Sequence, residues 1–249
     1  MTSTPMIEVR HLLLTSGSRV LQRDLGFEAM RGQMLAIVGE EGSGKRALLR
    51  TMIGLERPAE GDVFYEGEGL WAASEPDRHR RMARFGSQLA GGALLSTKTL
   101  LENVALPLEV HSRMPSRDIR SVARLKLALL GLAGYESHFP GEIDEQNRIA
   151  AALARATALD PDVLFCERPT AGLDPRAARF VSDSILRARD HLGATVVVVT
   201  NDAALVLAAD EAIFLGLESR SMKARGKPTD LRDHAEAPDV RAFLSGSGL

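Results

Sequence analysis

The chain has 249 residues, 45% of them hydrophobic and 26% charged, and its 31 Lys+Arg against 33 Asp+Glu leave a net charge of −2. That apolar content excludes disorder as the main state, and the near-neutral balance supplies neither a basic field for nucleic acid nor a polybasic membrane anchor. The length suits one large α/β domain or two small ones. The most apolar stretch, Ala194 to Leu217, is interrupted by Asn201, Asp202, Asp210 and Glu211, so no bilayer-spanning segment is expected. Met1 to Pro5 is polar, without the pattern of a secretory signal, which predicts a cytoplasmic protein. The single cysteine, Cys166, lies in the apolar run from Val163 and is expected to be a buried, unreactive strand residue.

Apolar runs bounded by turn signals alternate with helical patterns, the sign of an α/β sheet with helices packed on it. Ile7 to Leu14 and Val20 to Glu28 read as strands joined by a tight turn at Ser16-Gly17-Ser18. Met34 to Val38 is a buried strand running into Gly39, and Leu48 to Ile53 belongs to a helix ending at Gly54. Gly61 to Leu70 alternates like one strand, and Glu75 to Arg84 is polar and helical. From Leu100 to Gly131 and from Glu145 to Leu159 the pattern is helical, with Pro107, Pro115 and Pro140 as breaks. Strands resume at Val163 to Glu167, Thr195 to Thr200 and Ala212 to Leu217, so a helical block is inserted between strands. Residues from Ser219 onward are polar and turn-rich, closing with Val240 to Leu244.

The sharpest local signal is Gly39-Glu40-Glu41-Gly42-Ser43-Gly44-Lys45, placed between an apolar strand and a helix. This matches the G-x-x-x-x-G-K part of a phosphate-binding loop in its strand–loop–helix setting. Glycines let the backbone wrap an anion, N–H groups and the helix N-terminus point at it, and Lys45 adds a mobile positive charge. The next position, where a Ser or Thr hydroxyl would ligate Mg²⁺, is Arg46, and Glu41 places a carboxylate where phosphate charge would sit.

Pro169-Thr170-Ala171-Gly172-Leu173-Asp174-Pro175 follows the strand Val163 to Glu167, and Leu153-Ala154-Arg155-Ala156 lies just upstream. With the phosphate loop and the helical insertion, the chain resembles the ATP-binding subunits of ABC transporters over essentially its whole length. Leu70 to Glu75, Gly92-Ala93-Leu94, Leu101 to Leu108 and Val240 to Gly246 resemble the subgroup that energises lipid import with Mce-domain proteins, the Mla and Mce systems. The resemblance implies an α/β fold of the P-loop NTPase (ABC) type, with a core sheet, an inserted helical subdomain and an N-terminal antiparallel β region. It implies one nucleotide-binding domain over 1–249, with 1–84 and 160–218 as the ATPase-core lobe. Residues 85–159 would then be the helical subdomain and 219–249 a C-terminal tail. The implied partners are an ABC permease subunit, a second nucleotide-binding subunit (as homo- or heterodimer) and a Mce-domain protein in the complex. The subunit would sit on the inner face of the cell membrane through the permease. The ending at Val240 to Gly246 reads either as a tail that helps subunits associate or as a terminal helix docked on its own domain.

The same resemblance locates the family's ATP-handling positions, and nearly all are altered. Pro161 and Pro169 fix the register of the Walker B strand, so the family's Asp position is Glu167 and its catalytic Glu position is Arg168. A guanidinium stays protonated and cannot accept a proton from an attacking water. Glu40, Glu41 and Asp202 are the candidate partners for Arg168. The signature Leu-Ser-Gly-Gly-Gln falls on Ile143-Asp144-Glu145-Gln146-Asn147. Asp144 and Glu145 would oppose a phosphate, at roughly 4 kcal/mol per unit-charge pair at 4 Å and an effective dielectric near 20. Asp144 is equally good as a helix N-cap. The switch His is Asn201, the Q-loop Gln is Ala90 with Gln88 two places early, and the adenine-stacking aromatic falls near Ser16. Of the motifs, the D-loop Ala171-Gly172-Leu173-Asp174 survives. Arg46 and Glu167 occupy positions that hold Mg²⁺ in the family, which predicts an ion pair in place of the metal. Weak ATP binding without Mg²⁺ dependence is the expectation. A subunit with lost or very weak hydrolysis, an active ATPase energising lipid transport and a non-transport module reusing the fold are the three functional readings.

Overall fold

The computed structural model describes residues 4–246, so the first three residues of the polar N-terminal stretch and the last three of the tail lie outside the described residues. In chain order the strands are β1 Ile7–Ser16, β2 Arg19–Ala29, β3 Met34–Gly39, β4 Glu60–Tyr65, β5 Glu68–Gly69, β6 Phe85–Gln88, β7 Val163–Glu167, β8 Thr195–Val199, β9 Glu211–Leu215 and β10 Met222–Gly226. The helices are α1 Lys45–Met52, α2 Glu75–Met82, α3 Leu100–His111, α4 Ser116–Leu129, α5 Glu145–Ala156, α6 Pro175–Leu192, α7 Ala203–Leu207, α8 Pro228–His234 and α9 Pro238–Leu244. The chain divides into two compact units, Met1–Met82 with Thr195–Leu249 and Ala83–Ala194. No helix among the described residues is long and apolar enough to cross a membrane.

In the first unit an antiparallel sheet runs in the order β2-β1-β4-β5, with Ile7 opposite Ala29 and Tyr65. Period-2 alternation buries Ile7, Val9, Leu12 and Leu14 on one face, with the irregular register around Leu12 absorbing the break in phase. The expected single strand from Gly61 to Leu70 is instead a hairpin, β4 and β5. Glu66 and Gly67 both take left-handed conformations (φ 52° and 83°), which a two-residue hairpin turn demands and alternation alone does not reveal. The Asp62 carboxylate closes it, accepting from the N–H groups of Trp71 (2.8 Å) and Ala72 (3.0 Å).

The other strands of this unit run β10-β9-β3-β8, and β3 pairs in parallel with both β8 and β9. Every residue of β3 and β8 is buried, in keeping with their continuous apolar runs. The C-terminal α9 buries Val240, Phe243 and Leu244, and Phe243 meets the Phe214 ring edge-on at 5.7 Å. That is the arrangement of a terminal helix docked on its own unit.

In the second unit β6 and β7 pair in parallel, from Phe85 opposite Val163 to Gln88 opposite Cys166. The hydrophobic pattern did not mark β6 as a strand, because Phe85-Gly86-Ser87-Gln88 has no β-branched residue. Tertiary contacts form it: Phe85 packs edge-on against Phe165 at 5.6 Å. Pro107 does not break the helix as expected; it lies inside α3. The cost of about 3 kcal/mol for an interior proline is offset by a capping box between Thr99 and Glu102 and by burial of Leu100, Val104, Ala105 and Leu108. These residues join Ile119, Ala123 and Leu127 of α4 and Ala150, Ala151 and Ala154 of α5 in one core cluster. Cys166 is fully buried in β7, as expected, and burial pushes its thiol up to about 12.

Candidate functional site

The loop between β3 and α1 has the conformation its glycines allow. Gly39, Gly42 and Gly44 have φ of 156°, 84° and 93°. A Cβ on Gly39 would stand 2.7 Å from the Leu215 carbonyl oxygen and 2.8 Å from Ser43 Oγ, so only glycine fits there. Gly44 is the N-cap of α1, without a side-chain cap and without an acidic residue in the first turn, so no capping side chain satisfies the first N–H groups of the helix. Lys45 Nζ donates to the Gly39 and Glu40 carbonyls, the latter at 2.7 Å. Gln22, fully buried in β2, braces the loop from behind: its amide nitrogen donates to Ser43 O (2.7 Å) and Gly216 O (2.8 Å). Gln22 is a site residue that sequence reasoning missed, since a lone Gln in a strand carries no motif.

Asn201 follows β8 and reaches the same loop. In the amide orientation that satisfies both groups, its nitrogen donates to Gly39 O (3.1 Å) and Thr200 O (3.0 Å). Asp202, a candidate partner for Arg168, is instead the N-cap of α7, accepting from Ala204 (3.0 Å) and Leu205 (3.3 Å). Glu40 lies 3.9 Å from Lys223 Nζ, which also binds Asp239 at 2.8 Å. Those two carboxylates hold the Lys223 ammonium above its ordinary pKa. Glu41 and Arg46 are exposed, and Ser16 ends β1 without an aromatic ring at that position.

In the second unit, Glu167 ends β7 buried, and its carboxylate accepts from the Ala90 N–H at 3.3 Å. Arg168 is exposed with φ 47°, a left-handed conformation unusual for a side-chain-bearing residue, and its guanidinium has no partner among the described residues. Asp144 caps α5 by accepting from Asn147 N at 2.7 Å. Ile143 is buried beneath it, Gln146 is half-buried, and a Cβ on Gly172 would stand 3.4 Å from the Glu145 carboxylate. Within the D-loop segment, Leu173 N donates to Thr170 O (3.3 Å) next to partly buried Ala171, and Asp174 caps α6 at Arg176 (2.8 Å) and Ala177 (3.0 Å). Gln88 is buried in β6, its amide nitrogen bound to Leu89 O at 2.8 Å.

Residues 22–171 match the family model described as ABC transporter. The chain belongs to the ABC transporter family. This ABC domain is 32% identical to the probable ribonucleotide transport ATP-binding protein mkl of Mycobacterium leprae, over 96% of its own length and 69% of the relative's. It is 32% identical to the intermembrane phospholipid transport system ATP-binding protein MlaF of Escherichia coli K12, over 97% of the chain and 89% of the relative. The fold matches a dimeric bacterial ABC transporter cassette with a TM-score of 0.83 at 24% identity, covering 89% of this chain and 98% of that one.

The glycine conformations, the uncapped start of α1 and Lys45 fit a phosphate group. The residues do not fit Mg²⁺ in the same way. Position 46 of this ABC domain carries a guanidinium, a cation that offers no oxygen to a metal ion. Asp144 shows its capping role directly, which supplies a stability prediction. Asp144→Ser keeps a capping oxygen and is expected to unfold within about 0.5 kcal/mol of wild type, while Asp144→Ala loses about 1 kcal/mol. Urea unfolding of both variants checks this.

Proposed function

We propose that the chain is the nucleotide-binding subunit of an ABC transporter that moves lipids, with ATP hydrolysis lost or very weak and a structural or regulatory role. The observation that carries this is Arg168. The two flanking prolines support placing the family's catalytic Glu position at Arg168, and a permanently charged, exposed guanidinium cannot serve as general base. Arg46 supports the same reading, since it places a guanidinium at the position where the family has a magnesium-ligating hydroxyl. The lipid class is supported by two relatives named for phospholipid transport, from Escherichia coli and Haemophilus influenzae, against a mycobacterial relative named for ribonucleotides. A permease, a second nucleotide-binding subunit and a Mce-domain protein are the proposed partners, with the subunit held at the inner membrane face by the permease.

The test is calorimetry of ATP binding to the full chain with Mg²⁺ and with EDTA. Equal, weak binding in both supports the proposal. Tight, Mg²⁺-dependent binding would favour the second reading, an active transport ATPase, which the 30–32% identity to transport ATP-binding proteins over almost the whole chain supports. Arg46→Ser alone is expected to show no turnover in a phosphate-release assay, because Arg168 still offers no base. Measurable turnover in that variant sinks the assignment of Arg168.

A further inference from the structure

Gly39 is buried, and its carbonyl oxygen accepts from two side chains of separate elements, Lys45 at the start of α1 and Asn201 after β8. Lys45 Nζ has three hydrogens, two of them directed at Gly39 O and Glu40 O, so an anion that draws Nζ toward itself or takes more than one hydrogen pulls it off these carbonyls. A buried carbonyl left without a donor is costly, so the release of Lys45 is opposed unless a second donor stays in place. Asn201 is that second donor. Both hydrogens of its amide are spent on Gly39 O and Thr200 O, so it has no N–H left for an anion and presents only its carbonyl oxygen. An Asp at 201 would instead set a carboxylate against two carbonyls.

We propose that Asn201 is a positioning residue that keeps Gly39 O hydrogen-bonded while Lys45 turns to a bound phosphate-bearing anion. The loop then keeps one backbone shape with and without ligand. The proposal rests on the phosphate reading of the loop and adds how Lys45 is made available to the ligand.

The test has two arms, both on the full chain. In the ligand-free protein, amide exchange across the loop is measured for Asn201→Ala, Lys45→Ala and the double variant. Each single change leaves one donor on Gly39 O, so the double variant is expected to exchange about tenfold faster than the product of the single effects. Additive effects overturn the proposal. In the second arm, inorganic pyrophosphate is titrated into wild type and Asn201→Ala. The variant is expected to bind about five- to tenfold more weakly, since freeing Lys45 now orphans Gly39 O; equal or tighter binding overturns the proposal. Wild type that binds no pyrophosphate despite a non-additive exchange cycle sinks the phosphate reading and, with it, this role. Normal pyrophosphate binding with an additive cycle sinks the role of Asn201 alone.

Discussion

Gly86→Ala is expected to destabilise the protein by about 3 kcal/mol or more, since overpacking a rigid site costs 1–3 kcal/mol even where side chains can yield. Gly86 sits in β6, and an added Cβ would collide with the Ala156 carbonyl oxygen while standing 2.9 Å from both the Ala156 carbonyl carbon and Pro161 Cγ. Those atoms are the C-terminal end of α5 and the turn before β7, so relief requires moving backbone. Ala156 is itself buried, and its helix carries the packed Ala150, Ala151 and Ala154. For a chain of this size the penalty corresponds to a melting temperature lower by about 6–12 °C. Gly141→Ala is the control: its Cβ would meet nothing within 4 Å, and it is expected to stay within about 0.5 kcal/mol of wild type. Calorimetric melting of the two variants checks both, and a Gly86→Ala protein that melts like wild type would contradict the tight approach of β6 to α5.

Lys45→Ala is expected to lower ATP affinity by about tenfold or more. A charge-assisted hydrogen bond from an ammonium contributes about 1.5–3 kcal/mol, and each 1.4 kcal/mol is tenfold in Kd. The gain is moderated because Nζ gives up two loop carbonyls, Gly39 O and Glu40 O, on turning to the phosphates. The loss is electrostatic, so it is expected to shrink as ionic strength rises. Calorimetric titration at two salt concentrations reads both effects. Affinity within twofold of wild type would mean that the loop backbone alone holds the anion.

Much of the fold was legible because burial writes itself into the sequence. β3, β7 and β8 are dominated by apolar runs, and all of their residues are buried. The phosphate loop was legible because only glycine tolerates the φ values found at positions 39, 42 and 44. Elements that tertiary contacts create were not legible. β6 exists because Gly86 lets it close on Ala156 and because Phe85 meets Phe165. The break between β4 and β5 depends on Glu66 entering the left-handed region next to Gly67, which alternation does not encode. Pro107 is carried through α3 by a capping box and an apolar face rather than by local propensity.

By itself the sequence determined the kind of molecule this is: glycine spacing and apolar periodicity are local properties of the chain. It also determined the charge each side chain carries, since Arg168 is a cation wherever it points. The tertiary structure alone decided what those groups do. Asp144 became a helix cap, Gln22 a brace behind the loop, and Lys45 and Asn201 joint donors to one buried carbonyl. The physical reason is that a hydrogen bond needs its partners within about 3 Å, and residues 22, 39, 45 and 201 reach that distance only when β2, β3, α1 and β8 have packed.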